Sequence, residues 1–230
     1  IDDFEQRFEA HIDGLVVGDK LALEVCRQQA IEGDFGELHA AMRIFCRQNQ
    51  LGLIKEIVKA VDPEDKKKLE AVSDALINEF PEKLKSELVN WIKDDNQNIN
   101  TIISKIIGFR RFNFGNEMIE LLQQNDVKYS PEILWALGRL LDGKIRVPLF
   151  NNYLQQKDDA ISSAAALALL RIGEQRVLSY CLQMIPLNYW AFLPIGLSGD
   201  RSVIPKLLEF GLSDKVDPNC LIALGLLGDI

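Results

Sequence analysis

The residues that could carry out catalysis or hold a metal ion are few and scattered. The only imidazoles are His11 and His39, and neither has a second histidine at helical spacing to complete a metal site. The cysteines also lack Cys-x-x-Cys spacing and nearby histidines, which predicts reduced and mostly buried thiols rather than disulfides or a zinc site. These cysteines are Cys26, Cys46, Cys181 and Cys220.

Motifs for phosphate binding and for nucleophilic catalysis are incomplete or missing. The segment Gly14-x-x-x-Gly18-Asp19-Lys20 lacks the Gly-Lys-Ser/Thr ending that holds phosphate and magnesium. No Gly-x-Ser-x-Gly segment occurs. The 34 acidic residues are typical of solvated helix faces. We therefore predict no enzymatic activity, no catalytic residue, no metal ion and no cofactor.

The charge balance argues against general binding to nucleic acids or anionic membranes. The net charge is −8, the isoelectric point is near 4.9, and the densest basic runs, Lys66-Lys67-Lys68 and Arg110-Arg111, are short. An acidic protein favours a basic or neutral partner. No apolar run is long enough to cross a bilayer, and the acidic start is unlike a signal peptide, so we expect a soluble, cytoplasmic protein.

A short phrase, Ala-Leu-Gly followed by an acidic turn, recurs through the second half of the chain. The third residues of its copies are, in chain order, Gly108, Gly138, Leu170, Gly196 and Gly225. The steps between them are 30, 32, 26 and 29 residues. A near-constant period of this length is typical of a solenoid. We read the small residues as contacts that let neighbouring helices approach closely.

Helix starts precede these phrases. Asp217-Pro218, Ser130-Pro131-Glu132 and Asp62-Pro63-Glu64-Asp65 combine an N-cap residue with a proline that suits the first helical turn. Worn copies at Ala75-Leu76-Ile77 and Ile44-Phe45 extend the period towards the N-terminus. The composition is rich in aliphatic residues, and we predict an all-α fold: an α-solenoid of about six to seven helix pairs forming a right-handed superhelix, as a single domain over residues 1–230.

The last helix of this array is expected to keep an apolar surface. Leu221, Ile222, Leu224, Leu226 and Leu227 would leave the final unit without the polar cap that ends a solenoid. We therefore expect a fragment of a longer protein, in which the truncated C-terminal repeat could mediate self-association.

The segment Gly196–Leu208, echoed from Ala223, resembles HEAT repeats of the phycobilin-lyase type. With Phe8–Leu15 and Gly36–Ala41, the chain is similar to a proteobacterial family of HEAT-repeat proteins that has an Ala-His-Leu-Asp-Gly-Leu segment. This resemblance implies a bacterial HEAT array and no specific activity. A loose association of some members with secretion systems suggests a secretion-associated chaperone or immunity protein as one alternative.

In HEAT-type arrays the second helix of each pair lines the concave face, where partners bind. Aromatic residues on the phrase-bearing helices are therefore candidate anchors, although they could instead fill gaps between repeats. The predicted partner-binding residues are Glu132, Trp135, Arg139, Ser163, Arg171, Tyr189 and Trp190.

The sequence thus favours a non-enzymatic scaffold or adaptor that binds a protein partner on the concave face. A helical-repeat enzyme or nucleic-acid-binding protein, glycosylase-like or lyase-like, is the alternative from a different class, and a basic concave stripe would favour it.

Overall fold

The computed structural model describes residues 2–94, 96–124, 130–140, 146–185, 187–211 and 217–228. These residues form 15 α-helices and two single-turn 3-10 helices, and they include no β-strand. The α-helices are α1 (Asp2–Val17), α2 (Asp19–Glu32), α3 (Phe35–Arg47), α4 (Leu51–Ala60), α5 (Lys66–Asn78), α6 (Glu82–Ile92), α7 (Gln97–Arg110), α8 (Gly115–Gln124), α9 (Ser130–Leu137), α10 (Val147–Leu154), α11 (Asp159–Arg171), α12 (Arg176–Met184), α13 (Phe192–Leu197), α14 (Ile204–Gly211) and α15 (Pro218–Leu226), and the 3-10 turns are Tyr189–Ala191 and Arg201–Val203.

The all-α fold is confirmed, and the helices pack against neighbours in chain order, as in an α-solenoid. The contacts divide the chain into two compact units: residues 1–110 with 116–121, and residues 111–115 with 122–230. The single domain and the right-handed superhelix stay predictions from the sequence.

The recurring phrase marks every second helix. All seven copies lie near the C-terminal ends of the odd-numbered helices from α3 to α15. In the first unit α3 packs against α5, and α5 against α7; in the second unit α9, α11, α13 and α15 pack one on the next. The intervening helices α10, α12 and α14 pack against this stack. The worn copies in the first unit therefore have the same architecture as the clear ones.

The small residues of the phrase are explained by close helix contacts. A Cβ atom added to Gly138 would lie 2.7 Å from the Cα of Ala168, and one added to Gly196 would lie 2.8 Å from the Cα of Ala223. In both places the third residue of one phrase meets the first residue of the next. Any larger residue would force the backbones apart, so glycine sets the spacing of the stack.

One predicted helix start is correct in detail and another is displaced. Asp217 caps α15 by accepting a hydrogen bond from the backbone N–H of Asn219, and Pro218 is the first helical residue. In contrast, α5 begins at Lys66, and its N-cap lies three residues after the predicted Asp62, because Asp62 closes a turn before the helix. Asp65 instead accepts the capping hydrogen bond, from the N–H of Lys68.

The polar stretch that follows α6 contains the first turn of α7. Asn98 is buried there and donates hydrogen bonds to the carbonyl oxygens of Val58 and Val61, at the end of α4. These bonds satisfy carbonyls that the helix itself leaves without partners. A polar residue is thus buried because a neighbouring helix end needs its donor.

Candidate partner-binding surface

The outward side of α9 displays three of the predicted residues. Glu132, Trp135 and Arg139 recur at intervals of three and four positions, which places them on one side of the helix. All three are partly exposed, whereas Ile133 and Leu134 on the other side are buried. Burial of the aliphatic side against α11 therefore determines which side of α9 faces solvent.

Two arginines from different helices converge on the indole of Trp135. The Cζ atom of Arg139 lies 4.9 Å from the centre of the ring, and that of Arg171, from the end of α11, lies 5.5 Å from it. Both distances are within the range of cation–π contacts. Trp135 is therefore a bridge between two consecutive phrase-bearing helices and not a buried core residue.

The two guanidinium groups also influence each other. Partial burial of Arg171 and the positive charge of Arg139 lower the pKa of Arg171 from its ordinary value. Among the described residues, no carboxylate forms an ion pair with Arg171. Two guanidinium groups thus lie over one indole ring.

A cleft of about 220 Å³ adjoins Arg171. Leu167, Leu170 and Arg171 form one wall, from α11, while Leu197 and Ser198 at the end of α13 form another, with Gln175 completing it. Leu197 is 51% exposed. We define the Trp135 face as Trp135, Arg139, Leu167, Leu170, Arg171 and Leu197; it runs over α9, α11 and α13, all within the second unit.

Ser163 and the other predicted aromatics lie around or beyond this face. Ser163 is half-buried on α11, two turns before Leu170. The sequence placed Tyr189 and Trp190 on a phrase-bearing α-helix, which is wrong: they lie on the 3-10 turn that precedes α13. The α-helix begins only at Phe192, because Pro194 has no N–H to donate and is accommodated in the first helical turn. Tyr189 is 65% exposed, and Trp190 is half-buried.

The aliphatic part of the face was not predicted. Leu167 and Leu170 lie in the run Ala164–Leu170, which is apolar on every side of the helix, so its periodicity does not identify an outward side. Leu197 follows the phrase on α13 and would have been found only by aligning the outward positions of successive copies. The stacking contacts supply the information that the sequence lacks.

The cysteines and His39 lie in environments that disfavour their charged forms. All four cysteines are free and buried, as predicted, and burial raises the pKa of the Cys181 thiol to about 12. His39 stacks on Phe8, with 6.4 Å between the ring centres. Its pKa is lowered by burial and by the charge of Arg43. Within the described ranges, His, Cys, Asp and Glu side chains form no group of three that could hold a metal ion.

The two basic runs make contacts within the fold. The Lys67 ammonium lies 5.8 Å from the centre of the Phe35 ring. Arg110 lies over Phe80 and donates a hydrogen bond to the carbonyl oxygen of Ile77. Lys67 and Arg110 thus each contact another residue of the first unit.

In the part of the chain that the structure describes, no helix combines the length and apolar character required to span a membrane. No protein-family model matches the chain, and a search of the curated proteins gave no match. The resemblance to a HEAT-repeat family therefore stays a prediction from the sequence. The Trp135 face is the feature from which a function can be proposed.

Proposed function

We propose that this protein is a non-enzymatic scaffold or adaptor that binds a segment of another protein on the Trp135 face. The observation that carries this proposal is the continuity of exposed and partly exposed aromatic, arginine and leucine side chains over three successive phrase-bearing helices, α9, α11 and α13. Tryptophan and arginine are enriched among the residues that dominate binding energy at interfaces. Stacked helices hold them on a preorganised surface, which reduces the entropy cost of binding.

The test is affinity capture from a native lysate with wild type and with the double variant Trp135→Ala, Arg139→Ala. A matched control is Phe35→Ala, Lys67→Ala, which removes another exposed cation–aromatic pair, from the first unit. One protein should be retained by wild type and by the control and be lost from the Trp135 variant. Equal retention by all three would contradict the proposal, and capture of nucleic acid would favour the glycosylase-like alternative.

A second candidate interaction is self-association through α15. Gly225, the third residue of the last phrase, is exposed on α15. In contrast, Gly138 and Gly196, which hold the same position in earlier phrases, are each covered by the alanine that begins the next phrase. Leu221, Ile222 and Leu226 are exposed beside Gly225, and Ile222 is 55% exposed. If a second copy covers this surface, the sedimentation coefficient should increase with protein concentration. The substitution Ile222→Glu should abolish this concentration dependence. Identical monomeric sedimentation of both proteins would reject this candidate.

A further inference from the structure

A pocket of about 200 Å³ in the first unit combines an apolar lining with carboxylates. Its apolar part includes Ile31, Ile57 and Val61, its polar part consists of Asp62, Asp65 and Lys68, and we call it the Asp62 pocket. We propose that this pocket binds an aliphatic primary ammonium group, from a lysine side chain or from a small amine. The Trp135 face takes no part in this site, so the two proposals are independent.

The apolar part of the pocket suits a narrow aliphatic chain. Ile57 and Val61, at the end of α4, are buried, whereas Ile31 of α2 is 48% exposed, so a ligand can reach the lining from solvent. The pocket volume accommodates the flexible four-carbon stem of a lysine side chain. Burial of those methylene groups against the isoleucines and the valine would stabilise the complex.

The charges of the lining favour a cation. Asp62 and Asp65 outnumber Lys68, and within the described part of the chain neither carboxylate forms an ion pair. Two helices, α2 and α4, end beside the pocket, whereas only α5 begins there, and the C-terminal end of a helix carries a partial negative charge. The balance of side-chain and helix-end charges is therefore negative, and an ammonium group would offset it.

The charge of the whole first unit acts in the same direction. This unit contains 15 Lys and Arg against 23 Asp and Glu, so it accounts for the entire net charge of −8. The second unit contains 11 of each and is balanced. An excess of acidic groups attracts cations and repels anions. The preference for basic ligands that the isoelectric point suggests thus applies to the unit that holds the Asp62 pocket.

Backbone hydrogen bonds favour an ammonium group over the guanidinium group of arginine. One oxygen of Asp62 accepts a hydrogen bond from the N–H of Glu64 at 2.9 Å, and one oxygen of Asp65 accepts from the N–H of Lys68 at 3.0 Å. A guanidinium group pairs best with both oxygens of one carboxylate, and each carboxylate here has one oxygen already engaged. The three donors of an ammonium group can instead reach separate acceptors.

The test is an NMR titration of the intact protein with isotope-labelled isoleucine and valine methyl groups. Three peptides of Gly and Ser, with both ends blocked, carry Lys, Arg or norleucine at the centre, and norleucine keeps the aliphatic chain without the ammonium group. The Lys peptide should shift the methyl resonances of Ile31, Ile57 and Val61 with a dissociation constant about tenfold lower than that of the norleucine peptide, because hydrogen bonds between charged groups are stronger. The Arg peptide should bind more weakly than the Lys peptide, and added salt should reduce the preference for Lys over norleucine.

The double variant Asp62→Asn, Asp65→Asn should abolish the preference for Lys over norleucine. Asparagine keeps an acceptor for both backbone hydrogen bonds, so the turn and the start of α5 should stay folded, which circular dichroism would check. The matched control, Glu70→Gln, Asp74→Asn, removes two exposed carboxylates of α5 that do not line the pocket, and it should retain the preference. Lys68→Met should tighten binding of the Lys peptide, since it removes a competing positive charge from the lining.

A parallel titration with n-butylammonium identifies the source of the ammonium group. Tighter binding of the Lys peptide would assign the site to a protein side chain, and tighter binding of n-butylammonium would assign it to a free amine. Trp135→Ala should leave these shifts unchanged, so failure of this proposal would not bear on the proposed function.

Four results would overturn the proposal. They are equal binding of the Lys and norleucine peptides, a preference for Lys that the double Asn variant retains, no shift of the three resonances with any peptide, and the same shifts produced by calcium chloride at a lower concentration than the Lys peptide.

Discussion

At the scale of single residues, the repeat is marked by a backbone conformation as well as by the phrase. Five described residues have positive φ angles: Asn49 and Arg111 at 53°, Gly173 at 87°, Gly199 at 69° and Gly228 at 76°. Each lies three positions after the third residue of a phrase. In these five copies the left-handed residue follows the end of the helix and turns the chain towards the next one. The sequence shows this position only where it is glycine.

Substitutions at two of these positions should therefore have opposite effects. Gly199→Ala should lower the free energy of unfolding by about 1 kcal/mol, because a Cβ at φ 69° is strained although no atom lies within 4 Å of it. Arg111→Gly should raise the free energy of unfolding by up to about 1 kcal/mol, since it relieves the same strain. Urea titration measures both changes. Unaltered stability of Gly199→Ala would show that the turn tolerates other conformations.

At the scale of helices, an ion-pair network connects α1, α3 and the end of α5. Arg43 and Arg47 of α3 both pair with Glu79 at 2.5 and 2.6 Å, and both also pair with Glu9 of α1. Arg47 makes a further pair with Asp13, at 2.8 Å. The arginines are mostly buried, so their charges are screened less than those of surface pairs. This network holds α1 against α3.

The network makes stability depend on pH. Hydrogen bonds from Arg47 hold the pKa values of Glu9 and Glu79 below their ordinary value. A carboxyl group with a lower pKa in the folded state stabilises the fold above its unfolded pKa, near 4.3, and loses this contribution as the pH falls through the folded pKa. The free energy of unfolding should therefore decrease below about pH 4.3.

Glu79→Gln should lower stability at pH 7 by about 1–3 kcal/mol and reduce the dependence on pH below 4.3, because one ionised partner of both arginines is lost. Urea titrations at several pH values measure this effect. Glu70→Gln, on the exposed side of α5, is the control and should follow wild type. An unchanged pH dependence in Glu79→Gln would exclude the network as its source.

The sequence predicted the helices better than it predicted their contacts. The period and the small residues were enough to place α9, α11, α13 and α15, because Gly138 and Gly196 are required wherever two backbones approach closely. The burial of Asn98 could not be predicted, since it depends on the end of α4, about 40 residues earlier. The pairing of Trp135 with Arg171 likewise depends on how α9 stacks on α11. Such contacts follow from helix packing and leave no local pattern in the sequence.

At the scale of the whole molecule, the two compact units have different electrostatic character. The acidic excess lies in the first unit, which also contains the buried arginine network, and the Trp135 face lies in the balanced second unit. The isoelectric point of the whole chain therefore describes the charge of neither unit correctly. We propose that partner binding belongs to the second unit and, within it, to the outward side of the phrase-bearing helices.

The most direct test of this claim is site-specific photo-crosslinking in native lysate. A photoreactive amino acid would replace Ser163 on α11 in one protein and, as a matched control, the exposed Ser179 on α12 in another. We expect a discrete protein adduct from position 163 that is absent from position 179 and that Trp135→Ala removes. The same adducts from both positions, or none from position 163, would contradict it.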